Sequence, residues 1–228
     1  MTEFRTRYVI FATALLFAAA AQAGEVARLF GRPVTAEELK WRPGEPPAQA
    51  ARQLRELALK EAGARFIAAN KLQATAEEIA AYGHWEAEFQ RQDQQRRAAR
   101  LAQLETVSAP TEAERNELDV LRRLAKHDAE RPPASTRVHG WWIEGYKLKK
   151  ALYEKYGGRV GITKFGPDPV GATEALLREH ERRGDLAITD AALNSEFWAA
   201  LAREPRMPAT QPEHLDFTYY WLKPPTPK

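Results

Sequence analysis

The chain contains no cysteine. That single absence removes disulfides, thiolate metal sites, a thiol nucleophile and a cysteine-borne lipid anchor. Histidine is scarce as well. The five, at positions 84, 127, 139, 180 and 214, show neither His-x-x-x-His nor His-Glu-x-x-His spacing, so each reads as a surface or packing residue. A Gly-x-Ser-x-Gly elbow is missing, and the glycines lack phosphate-loop spacing followed by Lys-Ser or Lys-Thr. The sequence therefore calls for no cofactor, no metal and no catalytic residue.

An excess of one charge is also lacking. Against 34 Lys and Arg stand 31 Asp and Glu, spread along the chain, so the pI of about 9.1 reflects a mixed solvated surface and not a nucleic-acid footprint. Nor is there a run long enough to span a bilayer, which takes about 20 apolar residues. Residues 9–21 are apolar, follow Arg5 and Arg7, and end in Ala21-Gln22-Ala23, a small-x-small cleavage pattern. Residues 1–23 read as a cleaved secretory signal, which implies the periplasm and no stable membrane insertion afterwards. An exported chain without disulfides holds together by packing alone.

What is present is helical pattern. Leu54, Leu57, Ala58, Ala62, Phe66 and Ala69 recur at three- and four-residue steps and form one apolar face. Asn70 and Lys71 suit the end of that helix. Thr75 with Glu78 forms a capping box for the next, whose apolar face carries Ile79, Tyr82 and Phe89. Residues 90–100 are polar all round, as in a solvent-exposed arm. Continued to Leu104, this helix has about 30 residues and reaches about 45 Å at 1.5 Å per residue. A second capping box, Thr111 with Glu114, opens a helix striped by Leu118, Leu121, Leu124 and Ala125, placed to fold back on Leu101 and Leu104.

Gly31-Arg-Pro-Val-Thr-Ala-Glu-Glu-Leu39, a helix to Asn70, then Lys71-Leu-Gln-Ala-Thr-Ala-Glu-Glu-Ile79 resembles the N-terminal segment of SurA-type periplasmic chaperones, relatives of the parvulin-type prolyl isomerases. The resemblance covers about residues 25 to 105, under half of the chain. Phe30 departs from it, standing where the family usually has Asn before Gly31. The resemblance implies a helical segment that handles unfolded polypeptide.

Pro132 and Pro133 mark the expected internal boundary, giving a helical domain over 24–130 and an α+β module over 136–228. The module opens on the most aromatic stretch of the chain, with Trp141, Trp142, Tyr146, Tyr153 and Tyr156 and a stop at Gly157-Gly158. Residues 159–165 alternate as a strand. Asp168 is placed to cap the next helix, which stops at Gly184; Leu186 and Ile188 are extended; Asp190 caps a helix with Leu193, Phe197 and Leu201. Leu215, Phe217, Tyr219 and Trp221 alternate as a closing strand. The order is faintly parvulin-like, yet His180 falls on a helix, His214 precedes the last strand, and the Gly-Gly-x-Leu-Gly segment of parvulin sites is missing.

The expected fold is thus α+β and predominantly α-helical: a hairpin or arm, then a small module of two or three strands. The expected function is non-catalytic binding of unfolded or extended exported polypeptides in the periplasm. Its contacts come from Phe66, Ile79, Tyr82, Trp85 and Phe89 and from the 141–156 stripe, with pairing at a strand edge as a second mode. Two other classes stay open: a parvulin-type isomerase, and an accessory or scaffold subunit of an envelope complex. Oligomeric state and client identity are not legible.

Overall fold

The computed structural model describes residues 24–42, 44–130, 136–163, 166–203 and 215–225. The expected signal at 1–23, Pro132 and Pro133, the proline-broken stretch 204–213 and His214 lie outside them. The elements are, in order, β1 (Glu25–Leu29), β2 (Arg32–Thr35), α1 (Ala48–Ala69), α2 (Ala76–Glu105), α3 (Glu112–Glu130), α4 (Thr136–Tyr156), β3 (Gly161–Thr163), β4 (Gly166–Asp168), α5 (Val170–Arg183), β5 (Leu186–Ile188) and α6 (Ala191–Ala202). A single 3₁₀ turn, Tyr220–Leu222, follows. The fold is α+β and mostly helical. No helix among the described residues is long and apolar enough to cross a membrane.

Contacts divide the chain into two compact units, Met1–Ala69 with Ala151–Leu215, and Asn70–Lys150 with Asp216–Lys228. The expected boundary at Pro132 and Pro133 falls outside the described residues, and the units part after Ala69, Lys150 and Leu215. The physical reason is a non-local sheet in the first unit. Strand β1 is its middle member, antiparallel to β2 on one side and to β5 on the other, where Ala27 faces Ile188 and Leu29 faces Leu186. Sequence from both ends of the chain therefore shares one core.

In that first unit, β1 and β2 are joined by Phe30 and Gly31 at φ 51° and 83°, the two positive values that a type I′ hairpin turn requires. A phenylalanine in the left-handed region is costly. The cost is offset by contacts: Arg65 lies 4.0 Å over its ring, His180 meets it edge-on at 4.8 Å, and its N–H donates to the Asp185 carbonyl at 2.5 Å. Thr35 Oγ1 accepts from the Glu38 N–H at 3.2 Å and so caps a turn that closes at Trp41 without becoming a helix. Helix α1 buries Leu54, Ala58, Ala62 and Phe66, and α6 answers with Leu193, Phe197, Trp198 and Leu201. Asp190 caps α6, its Oδ1 accepting from Leu193 N–H at 2.8 Å, and Gly184 at φ 77° ends α5. Asp168 does not cap α5. It is the last residue of β4, paired with Gly161, and α5 starts after Pro169 without a side-chain cap.

In the second unit, α2 is one continuous helix whose capping box at Thr75 and Glu78 is formed in both directions. The left-handed residue ahead of it is Lys71, at φ 53°, and not Asn70. Helix α3, capped by Thr111 and Glu114, folds back along α2, and Leu104 and Leu121 are buried. Residues 215–221 do not form a strand. Among the described residues of this unit there is no strand to pair with, and Tyr219, Tyr220 and Trp221 pack into rings instead.

One close approach in the first unit yields a test. A Cβ on Gly171 would lie 2.4 Å from the Arg159 nitrogen, where α5 begins against the Gly158-Arg159 backbone. Gly171→Ala is expected to destabilise the protein by roughly 1–3 kcal/mol, the usual cost of overpacking. An unchanged thermal unfolding midpoint would contradict that contact.

Candidate functional site

The aromatic residues singled out from the sequence are divided between the units. Phe66, Tyr153 and Tyr156 belong to the first. Phe66 is buried at 7% exposure, with the Lys155 ammonium 5.5 Å from its ring, so it is core and not a contact surface. Tyr156 donates to Glu179 at 2.5 Å and Tyr153 is half-buried. The burial of Phe66 is a correction to its expected role; Tyr153 and Tyr156 keep part of their surface outside.

The second unit holds Ile79, Tyr82, Trp85, Phe89, Trp141, Trp142 and Tyr146. Helices place them: Ile79, Tyr82, Trp85 and Phe89 step along α2 at three- and four-residue intervals, and Trp142 and Tyr146 do the same on α4. Tyr82, at 6% exposure, is enclosed and joins Ile143 and Trp221 in a small core. Its burial too corrects the expectation of a surface contact. Trp141 is the opposite case, 67% exposed and edge-on to Trp142 at 4.9 Å.

A feature that the sequence did not reveal is that Tyr219, Tyr220 and Trp221 complete this cluster. Tyr219 and Trp221 stack at 4.9 Å and 1°. Trp221 packs edge-to-face with Tyr82 at 5.5 Å and Tyr146 at 5.6 Å, and Tyr220 with Trp85 at 5.0 Å. The Tyr220 hydroxyl donates to that of Tyr82 at 3.0 Å. The signal available was the density of rings at 217–221, which the strand reading absorbed.

Trp85 also stacks on Phe89, at 5.3 Å and 16°, and here the cluster opens into a groove between α2 and α3. The groove encloses about 610 Å³, with Trp85, Phe89 and Leu124 as apolar walls and Glu86, Asp93, Arg97, His127 and Asp128 around them. A second hollow of about 310 Å³ continues past Arg97 to Ala98, Leu101, Leu121 and Ala125. Leu124 is 36% exposed. The charges are paired: Arg97 bridges Asp93 at 3.1 Å and Asp128 at 2.8 Å, and Glu86 meets His139 Nε2 at 2.8 Å. The lining is a short apolar strip, Trp85, Phe89 and Leu124, set among polar and mostly paired charged side chains, which suits contact with side chains more than acid–base chemistry. His180 is buried in the first unit, its Nδ1 3.0 Å from Asp185.

No family model matches the chain, and no curated protein or solved structure matches it either.

Burial pushes the hydroxyls of Tyr82, Tyr146 and Tyr220 above the ordinary tyrosine range. Their neutral forms are therefore favoured by folding. The contribution is intact below the unfolded value of about 10 and is lost as pH climbs through the folded values. Near-ultraviolet dichroism of the tryptophan bands is expected to hold at neutral pH and collapse at strongly alkaline pH as these tyrosines ionise. Dichroism that survives full tyrosinate formation would contradict the packing described.

Proposed function

We propose that the protein is a chaperone-like binder of unfolded or extended segments of other exported polypeptides, acting in the periplasm without catalysis. The observation that supports this best is the groove between α2 and α3, walled by the Trp85–Phe89 stack and Leu124. Its volume of about 610 Å³ falls within the usual range of ligand clefts, about 300–1,000 Å³. Exposed Trp141 adds a second apolar contact on the same unit. The resemblance of residues 25 to 105 to SurA-type chaperones points the same way, as does the secretory pattern at 1–23. Strand-edge pairing has weaker support, because of the two outer strands β2 carries Pro33, which has no N–H to donate, and β5 is only 3 residues long.

Apolar walls with paired charges favour loose binding of many sequences over tight binding of one. A buried aromatic side chain covers about 150–250 Å², worth roughly 4–6 kcal/mol at 25 cal/mol per Å². Association costs of about 4–15 kcal/mol consume most of that. Capture at one groove is accordingly brief, as release of a client requires.

The mature protein, at several-fold molar excess, is expected to suppress aggregation of an unfolded outer-membrane protein. The double variant Phe89→Ser, Leu124→Asp should bind clients about tenfold more weakly, equivalent to about 1.4 kcal/mol. Leu124 is partly exposed, so the fold should tolerate its loss. An inert wild-type protein would overturn the proposal. Recovery of one stoichiometric partner from an envelope extract, in place of a range of clients, would favour the scaffold class.

A further inference from the structure

Taking the α2–α3 groove as the client site, we infer that residues 216–225 are a displaceable cap on its Trp85 end, so that seating of this segment and binding of a client compete. The segment is closed from within. Asp216 and Lys223 form an ion pair, the Thr218 N–H donates to Asp216 Oδ1 at 2.8 Å, Tyr219 stacks on Trp221, and Tyr220–Leu222 make a 3₁₀ turn. It therefore keeps its shape by its own bonds, and the body of the unit meets it through side chains.

Those meetings are with the rings that lead into the groove. Trp221, at 4% exposure, sits against Tyr82 and Tyr146; Tyr220 meets Trp85 edge-to-face; Trp85 in turn stacks on Phe89, a wall of the groove. The Lys150 ammonium lies 5.3 Å from the Tyr219 ring, and Tyr146 donates to the Thr218 carbonyl at 3.3 Å. Leu222, at the outer side of the turn, is 64% exposed. A pre-shaped aromatic hook on an aromatic bed binds as a peptide ligand does, by ring contacts and a few hydrogen bonds. Its covalent attachment raises its effective concentration to about the millimolar range, so a client that extends from the groove past Trp85 onto the Tyr82 and Tyr146 rings does so only by displacing it. The Lys223 ammonium and the Thr218 amide hold the Asp216 carboxyl well below the usual carboxylate range.

The test uses the full mature chain and a labelled peptide of residues 216–225 as probe. The double variant Tyr219→Ala, Trp221→Ala should bind this peptide at least tenfold more tightly than wild type, with helicity by far-ultraviolet dichroism retained. Equal or weaker binding by a helical variant would overturn the cap. Because Trp221 is buried and its loss risks the fold, Asp216→Lys provides the second arm. Both Asp216 and Lys223 are exposed, so setting like charges in the clasp spares the core. It should raise peptide affinity several-fold, and unchanged affinity in that variant would overturn the cap whatever the first variant does. Neither arm alters Phe89 or Leu124. A protein that never suppresses aggregation, yet gains peptide affinity in these variants, would sink the proposed function and leave the cap standing.

Discussion

Helix α2 is pinned at two places and left wet between them, and the second unit is arranged around that constraint. Its buried residues are Tyr82 and Leu104. At 1.5 Å per residue these lie about 33 Å apart along the helix. Near the first, rings from α4 and from 219–221 close over the helix; near the second, Leu121 of α3 does. Between them the sequence supplies Gln90, Arg91, Asp93, Gln94, Arg96 and Arg97, which cannot make a dry interface. They are held by charge pairs: Arg91 with Glu88, Arg96 with Asp93, and Arg97 reaching Asp128 on α3. Such partly exposed pairs contribute little to stability individually. They keep the helices in register without filling the space between them, and the hollows remain there.

What was legible in the sequence was what is local. The capping boxes at Thr75 and Thr111, the Asp190 cap, the Gly184 stop and the uninterrupted length of α2 each rest on residues within one or two turns of each other. Of the candidate site, Trp85 and Phe89 were legible as a helix stripe and do line the groove. The failures are non-local. Strand β1 takes β5 as a partner across most of the chain, which no period in the sequence announces, and the division into units follows from that pairing. Alternation at 215–221 looked like a strand because every second residue is apolar, but a strand needs a neighbour. Here the alternate rings stack on one another and on Tyr82 and Tyr146. Phe66 and Tyr82 failed for a different reason: an apolar helix stripe is written identically whether its partner is the protein's own core or another chain.

Phe30 shows how such a conflict between levels is resolved. Its backbone requires a conformation that glycine or asparagine adopts more readily, at a cost on the order of 1–2 kcal/mol. Arg65 over its ring and His180 at its edge return a comparable amount, about 0.5–1.5 kcal/mol for each such contact. Phe30 is thus accommodated by side chains brought from α1 and α5, and the type I′ turn forms around it.

The electrostatics of the groove bear on selectivity. Charged rims steer partners and fix specificity when their charges are free. Here Asp93 and Asp128 are answered between them by Arg96 and Arg97, and Glu86 is hydrogen-bonded to His139, so the rim keeps only a weak acidic bias for selecting a client by sign. Discrimination is left to the size and apolarity of what fits against Trp85, Phe89 and Leu124. A folded protein presents few such side chains together, whereas an extended chain presents them repeatedly. Several weak, interchangeable contacts along one chain then raise residence time through effective concentration without making any one of them tight. On the proposed reading, that is how a single shallow groove holds an unfolded segment and still lets a folding one go.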